Sequence, residues 1–238
     1  MADAKQITVI VPIHKFDDEV KTLLNRAVDS VNKELCEIIF VGPNDVLLQA
    51  KEVYPHANLV VNNEDTNVYT QVNKGALQCV TPYFSVLEFD DVFLPTWSDV
   101  LVRELSDNTI TLSINELVED GKFRAFANEI AWDAAFISED GELGYLGEGE
   151  LKLFSDFNLT GAIFKTEDFI SLGYLKPEFK VFAWYELLMR VARSGKKIYV
   201  VPRVCYSHTI MREGSYYMTR EEMTKEEGTE LIKKILGE

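Results

Sequence analysis

Cysteine is scarce in this 238-residue chain: there are three. Cys36, Cys79 and Cys205 lie far apart with no CxxC-type spacing, which argues against a disulfide framework or a thiolate metal site. Each sits among apolar residues, as inert core thiols do, and reduced thiols point to a cytosol-like compartment. Positive charge is also in short supply, with 24 Lys and Arg against 39 Asp and Glu, a formal net charge of −15. Such a surface repels nucleic-acid backbones and anionic membranes. The close basic pair Lys196-Lys197 reads as a solvated helix end. The apolar run in MADAKQITVIVP is too short for a signal peptide or a membrane span, so a cytoplasmic protein with no integral membrane segment is expected. The segment VPIHKFDDE has no glycine, so the glycine-rich phosphate loop expected of a nucleotidyltransferase is missing. No internal repeat, low-complexity tract or interdomain linker is visible.

What is present is material for a large core: 47% of residues are hydrophobic and 11% aromatic. The β-branched run ITVIVPI, Ile7 to Ile13, predicts a buried strand. Apolar residues at helical spacing predict a helix over Asp17 to Asn32. Glu37 to Val41, Leu59 to Val61 and Phe84 to Leu87 predict further strands, separated by helices at about Val46 to Val53 and Tyr69 to Cys79. This alternation builds a mainly parallel central sheet of α/β class, with ligands expected at the C-terminal edges of the strands. The second half is less regular. It predicts strands at Thr109 to Leu117, Asn158 to Phe164 and Ile198 to Val201, a turn at Glu119 to Lys122, and helices at Asn128 to Ser138 and Val181 to Ser194. Glu139 to Asp156, with four glycines and six acidic residues, reads as a loop of lid-like length. Thr219 to Leu236 predicts a charged amphipathic helix that either packs on the domain or mediates a homo-oligomer.

The run YFSVLEFDDVFLPTW, Tyr83 to Trp97, ends in Glu88, Asp90 and Asp91. A doubly buried strand cannot hold unpaired charge, so these carboxylates belong at its exposed end. Alternation points Glu88 and Asp90 to one side and Phe89 to the other. Two converging carboxylates suit a hard cation, Mg²⁺ or Mn²⁺, that also binds substrate phosphates. In the alternative reading Asp91 caps a helix and the others are solvated turn residues.

Five segments in order and in spacing resemble the family-2-type glycosyltransferases of GT-A fold: ITVIVPIHK, CEIIFVGPND, VNKGALQCVTPYFSVLEFDD, NLTGAIFKTEDFISLGYLKPEF and LLMRVARSGKKIYVVPRVCYSH. The resemblance, which runs from about residue 5 to 210, implies one domain with residues 1–107 binding a nucleotide-diphospho-sugar and 108–214 building the acceptor site; by its own pattern 215–238 is expected to form a charged terminal helix. UDP is the expected carrier. Glu88-Phe89-Asp90 would be the DxD-like motif, with Asp90 on the metal and Glu88 near the ribose. His208 would supply a further metal ligand. Pro12 and His14 would border the base, Asp45 would stand in for its recognition carboxylate, and Asn73 and Lys74 fall at the N-x-G position, Lys74 within reach of phosphate. The cation neutralises charge on the departing diphosphate.

Two departures stand out. Gly42-Pro43-Asn44-Asp45 lacks the usual base-recognising aspartate, leaving uracil specificity open. The family's Glu-Asp pair, whose aspartate is the general base, falls opposite Ala183-Trp184. A base commonly contributes ~10²- to 10⁴-fold. Glu186 is the nearest candidate, with Asp156 and Asp168 as others, and Trp184 and Tyr185 either line an acceptor platform or pack on the sheet. Three possibilities stay open: a base from elsewhere, a retaining transfer, or a module that binds a sugar nucleotide or a protein partner without transfer. Read as a lid, the acidic segment Glu139 to Asp156 favours a neutral glycan or small-molecule acceptor over nucleic acid.

Overall fold

The computed structural model describes residues 5–105, 107–129, 143–212 and 216–238. Four strands, β1 (Ile7–Pro12), β2 (Cys36–Gly42), β3 (Asn58–Val61) and β4 (Tyr83–Val86), lie parallel in the order β3-β2-β1-β4. Every residue of β1 is buried because both faces are covered. Ile10 joins one core layer, while Ile7, Val9 and Val11 join the other. The intervening helices are α1 (Asp18–Ser30), α2 (Asn44–Val53) and α3 (Val68–Ala76). Asp17 caps α1 by accepting from the Val20 amide at 2.8 Å. Helix α3 sits close on the sheet, since a Cβ on Gly75 would lie 2.7 Å from Ile10 Cγ2. The N-x-G glycine is therefore a packing requirement.

The same sheet continues through the second half. Beyond β4 the order is β8 (Ile163–Lys165), β6 (Ile110–Glu119), β9 (Ile198–Thr209) and β5 (Val92–Phe93), with β7 (Lys122–Ala127) paired to β6. β8 runs antiparallel to β4 and β6, β6 and β9 are parallel, and β5 is antiparallel to β9. Further helices are α4 (Pro95–Asp99), α5 (Glu148–Leu153), α6 (Thr166–Ser171), α7 (Ala183–Arg193), α8 (Tyr216–Glu222) and α9 (Lys225–Leu236).

Several boundaries differ from the sequence expectation. β9 runs eight residues past Val201, because its register to β6 jumps from Ser113↔Val201 to Ile114↔Val204 and so accommodates Pro202 in an irregularity. The strand expected from Asn158 begins only at Ile163. Before it, Asn158 Oδ1 accepts from the Thr160 amide at 3.0 Å and Gly161 adopts a φ of +81°, so the chain turns first. The expected loop contains α5, whose Glu150 accepts from the Gly147 amide at 2.8 Å. Its residues 139–142, and 130–138 of the helix expected from Asn128, lie outside the described residues. The terminal helix is two, because the Thr224 hydroxyl accepts from the Glu227 amide at 3.1 Å and starts α9 afresh. Arg193 ties α9 to α7 through the Ile235 carbonyl at 2.7 Å, and Ile235 is buried, so α9 packs on the domain. Among the described residues no helix is long and apolar enough to cross a membrane.

Candidate active site

Leu87 extends β4 by donating to the Ile10 carbonyl at 3.0 Å, which delivers Glu88 to the C-terminal edge of the sheet. The Glu88 amide donates to Tyr206 Oη at 3.2 Å. Tyr206 can pack there only because residue 161 is glycine: a Cβ would overlap its ring. A turn then closes from the Asp91 amide to the Glu88 carbonyl at 3.1 Å, and β5 begins at Val92, opposite Ser207. That register sets Asp91 beside His208. Asp91 is 0% exposed; its Oδ2 lies 2.7 Å from His208 Nδ1 and its Oδ1 accepts from the Thr209 amide at 2.7 Å.

Ligand atoms of Glu88, Asp91 and His208 all lie within 4.8 Å of one another. Two carboxylates and an imidazole suit Mn²⁺ or Mg²⁺ better than a soft metal. Asp91, the carboxylate assigned a capping role in the alternative reading, thus occupies the cluster, and it is followed by a strand rather than a helix. Asp90, expected on the metal, lies outside this cluster, with its Oδ2 bonded to Arg212 Nη1 at 2.9 Å. Arg26 and Thr209 donate to the Asp90 carbonyl at 2.6 and 2.8 Å. Arg212 also reaches Glu19 at 2.9 Å and lies 5.2 Å over the Phe89 ring.

The cluster retains protons. Burial, reinforced by the Asp91 charge, pushes the Glu88 carboxyl up to about 8. Burial and Asp91 also raise Asp90, against the pull of Arg212. Burial disfavours a charged His208, but the Asp91 carboxylate outweighs it and lifts the imidazole to about 9. A divalent cation entering such a site displaces protons.

The other sequence-derived candidates divide. Pro12 ends β1, and His14 follows it, exposed, with its ring 5.8 Å from Phe89 in an edge arrangement. Asp45 is exposed in the first turn of α2, one strand further along the same edge. Lys74 pairs with Glu64 at 3.2 Å. The Asn73 side chain clasps the backbone of Leu175, donating at 2.9 Å and accepting at 3.0 Å, which is a structural bond between α3 and a distant loop. Trp184 and Tyr185 are 3% and 1% exposed. Trp184 stacks on Phe164, and Tyr185 donates to the Leu151 carbonyl at 2.9 Å, so these rings pack on the core and offer no stacking face to an acceptor.

The candidate bases are all engaged. Glu186 is buried, held by Arg190 at 3.0 and 2.5 Å and by Lys176 at 3.0 Å. Arg190 in turn anchors the Leu172 and Tyr174 carbonyls, so the pair fastens a turn to α7. Asp168 binds Lys196 and Thr109 near the N-terminal edge of β6, at the opposite end of the sheet. Asp156 pairs with Arg220. The residues sequence reasoning missed are Asp91, Tyr206, Arg26 and Arg212. Asp91 was in view beside its neighbours, but a two-residue strand leaves no periodicity to announce its pairing.

No protein-family model matches the chain, and no curated protein matches its sequence. Its fold does match solved structures. S. aureus TarS 1–349 in complex with UDP-GlcNAc superposes at a TM-score of 0.65 and 18% identity, covering 97% of this chain and 65% of that one. The same TarS fragment in another crystal structure gives 0.63 and 14%, covering 86% and 60%. GalNAc-T7 with UDP, GalNAc and Mn²⁺ gives 0.62 and 16%, covering 89% and 45%. The chain thus spans 45 to 65% of these structures. Its curled, mixed sheet with a parallel N-terminal half carries the GT-A fold of these glycosyltransferases.

Proposed function

We propose that the protein is a glycosyltransferase that moves a sugar from a nucleotide-diphospho-sugar, with UDP the favoured carrier, to an acceptor hydroxyl. The observation that carries this reading is the convergence of Glu88, Asp91 and His208 beyond β4, in a fold whose solved neighbours include complexes with UDP-GlcNAc and with UDP and Mn²⁺. Those three residues would hold Mn²⁺ or Mg²⁺, and a bound cation would offset the charge that develops on a departing diphosphate. The chain's own groups do the rest. Tyr206 fixes the Glu88 backbone and Arg26 with Thr209 holds the Asp90 turn, while His14 and Phe89, in contact with each other, would border the base. Residues 108–214 would build the acceptor side, and a glycan or small molecule suits the acidic surface.

A second reading, a module that binds sugar nucleotide without transfer, is favoured by one observation: Glu186 is neutralised by Arg190 and Lys176. Thermal unfolding with a panel of nucleotide sugars, with and without Mn²⁺, tests both readings. Ligand at 100 times its dissociation constant stabilises by about 2.7 kcal/mol, a rise of roughly 5–11 °C at this size. Metal-dependent stabilisation by one nucleotide sugar, lost in Glu88→Gln, is the expected result. No shift with any member would overturn donor binding. Stabilisation without release of nucleoside diphosphate in the presence of candidate acceptors would favour the second reading.

A further inference from the structure

We propose that Arg212 is a diphosphate-binding residue that exchanges Asp90 for a phosphate oxygen when the donor enters, pivoting on the Phe89 ring. The inference rests on the donor reading above. Three contacts define the resting position: Asp90 Oδ2 at 2.9 Å, Glu19 Oε1 at 2.9 Å, and the Phe89 ring at 5.2 Å. Each carboxylate takes one bond from a different Nη, so neither pair is bidentate, and a guanidinium has five donors. The Glu19 side chain is 64% exposed, where an ion pair holds weakly. Arg212 is thus held firmly only at Asp90.

The stack explains how the partner can change while the position does not. Phe89 carries Arg212 over its ring and meets His14 in an edge contact, so the guanidinium can change partners while it stays over the ring at the sheet edge. The charge balance supplies the reason to turn. The chain carries a net −15, and Glu88, Asp90 and Asp91 crowd this edge. An anionic diphosphate therefore needs a local cation besides any metal. Arg26 is committed to the Asp90 carbonyl and His208 to Asp91. Among the described cations at this edge, Lys15 pairs with the exposed Asp17, outside the acidic turn, whereas Arg212 is bonded to that turn through Asp90 and to the exposed Glu19. Its planar fork also matches phosphate geometry.

Competition between Asp90 and phosphate for one guanidinium predicts effects of opposite sign. In Arg212→Gln, Mn²⁺ alone should bind tighter, because Asp90 loses its counter-charge. UDP at saturating Mn²⁺ should bind about ten- to a hundredfold weaker, the weight of a charge-assisted contact. Uridine should bind unchanged, and Arg212→Lys should recover part of the UDP affinity. Calorimetric titration of UDP and uridine, with Mn²⁺ binding followed by electron paramagnetic resonance, reads all of these. Equal loss of UDP and uridine would mean a merely structural role, and unchanged UDP affinity in Arg212→Gln would overturn the proposal while leaving the donor reading intact. If Arg212→Gln does not fold, Arg212→Lys decides: it must weaken UDP and spare uridine. Failure of the wild type to bind UDP with Mn²⁺ would overturn both readings together.

Discussion

Asp91 and His208 are 117 positions apart in the chain and 2.7 Å apart in space. The two-residue strand β5 accounts for the meeting: Val92 pairs with Ser207, and the next residue on each side forms the ion pair. Both side chains are almost wholly buried, 0% and 1% exposed. Removing one partner of such a pair strands the other away from water. Asp91→Ala should therefore cost about 3–5 kcal/mol of stability. Glu88→Gln, at a partly exposed position whose carboxyl already tends to be protonated, should cost under about 1 kcal/mol. Urea unfolding of the two variants checks the contrast, and equal losses would contradict it.

Without divalent cations, stability should fall as pH rises from about 6 to about 9. His208 moves from 6.5 in the unfolded chain to about 9 when folded, so its contribution is complete below 6.5 and is lost as pH climbs through 9. Glu88 moves from 4.5 to about 8. The folded state then binds the extra proton between those values, and stability declines over the same rise. Both signs agree. Melting temperatures in chelator across this range test the slope, which Glu88→Gln should flatten at its lower end. Mn²⁺ affinity should run the other way and increase with pH.

Asn73 and its neighbour Lys74 should separate cleanly. Asn73→Ala removes two bonds to the Leu175 backbone and should destabilise by about 1–3 kcal/mol. Lys74→Ala removes one exposed ion pair to Glu64 and should change stability by under about 1 kcal/mol. Chemical denaturation of both variants is the check. A larger loss for Lys74→Ala would reverse the assignment.

Glu186→Gln should reduce stability more than catalysis. Its carboxylate faces two cations, and the amide that replaces it cannot balance both. Partial loss of this buried charge pair should cost about 2–4 kcal/mol. Turnover of the folded variant should fall less than about tenfold, against the ~10²- to 10⁴-fold expected if Glu186 took the acceptor proton. Single-turnover rates on matched, fully folded samples decide between the two.

The first half of the fold was legible because its signals are local. β1 is apolar at every position, and its neighbours alternate with amphipathic helices of ordinary length. The carboxylates after β4 were legible too, since charge cannot follow a doubly buried strand inward. The rest depended on partners far along the chain. The place of Asp91 in the cluster was hidden because β5 is too short for a period, and β9 looked finished at Val201 because Pro202 hides the irregularity that lets it continue. The aromatic pair Trp184 and Tyr185 fits a core or a platform equally well by composition, and burial by Phe164 and Leu151 decided for the core. The break in the terminal helix went unread because the charged amphipathic pattern runs on across Thr224, whose hydroxyl restarts the helix.

The span between Asp91 and His208 also has a consequence in time. Translation at about 5–20 residues per second takes roughly 6 to 23 s to add the 117 residues that separate them. Throughout that interval the nascent chain holds Glu88, Asp90 and Asp91 without His208 and Arg212, the later partners of Asp91 and Asp90. The pairing of these carboxylates waits for β9 and the residues just after it, so a ribosome-bound intermediate stalled before that point would present them unpaired to any free divalent ion in its surroundings.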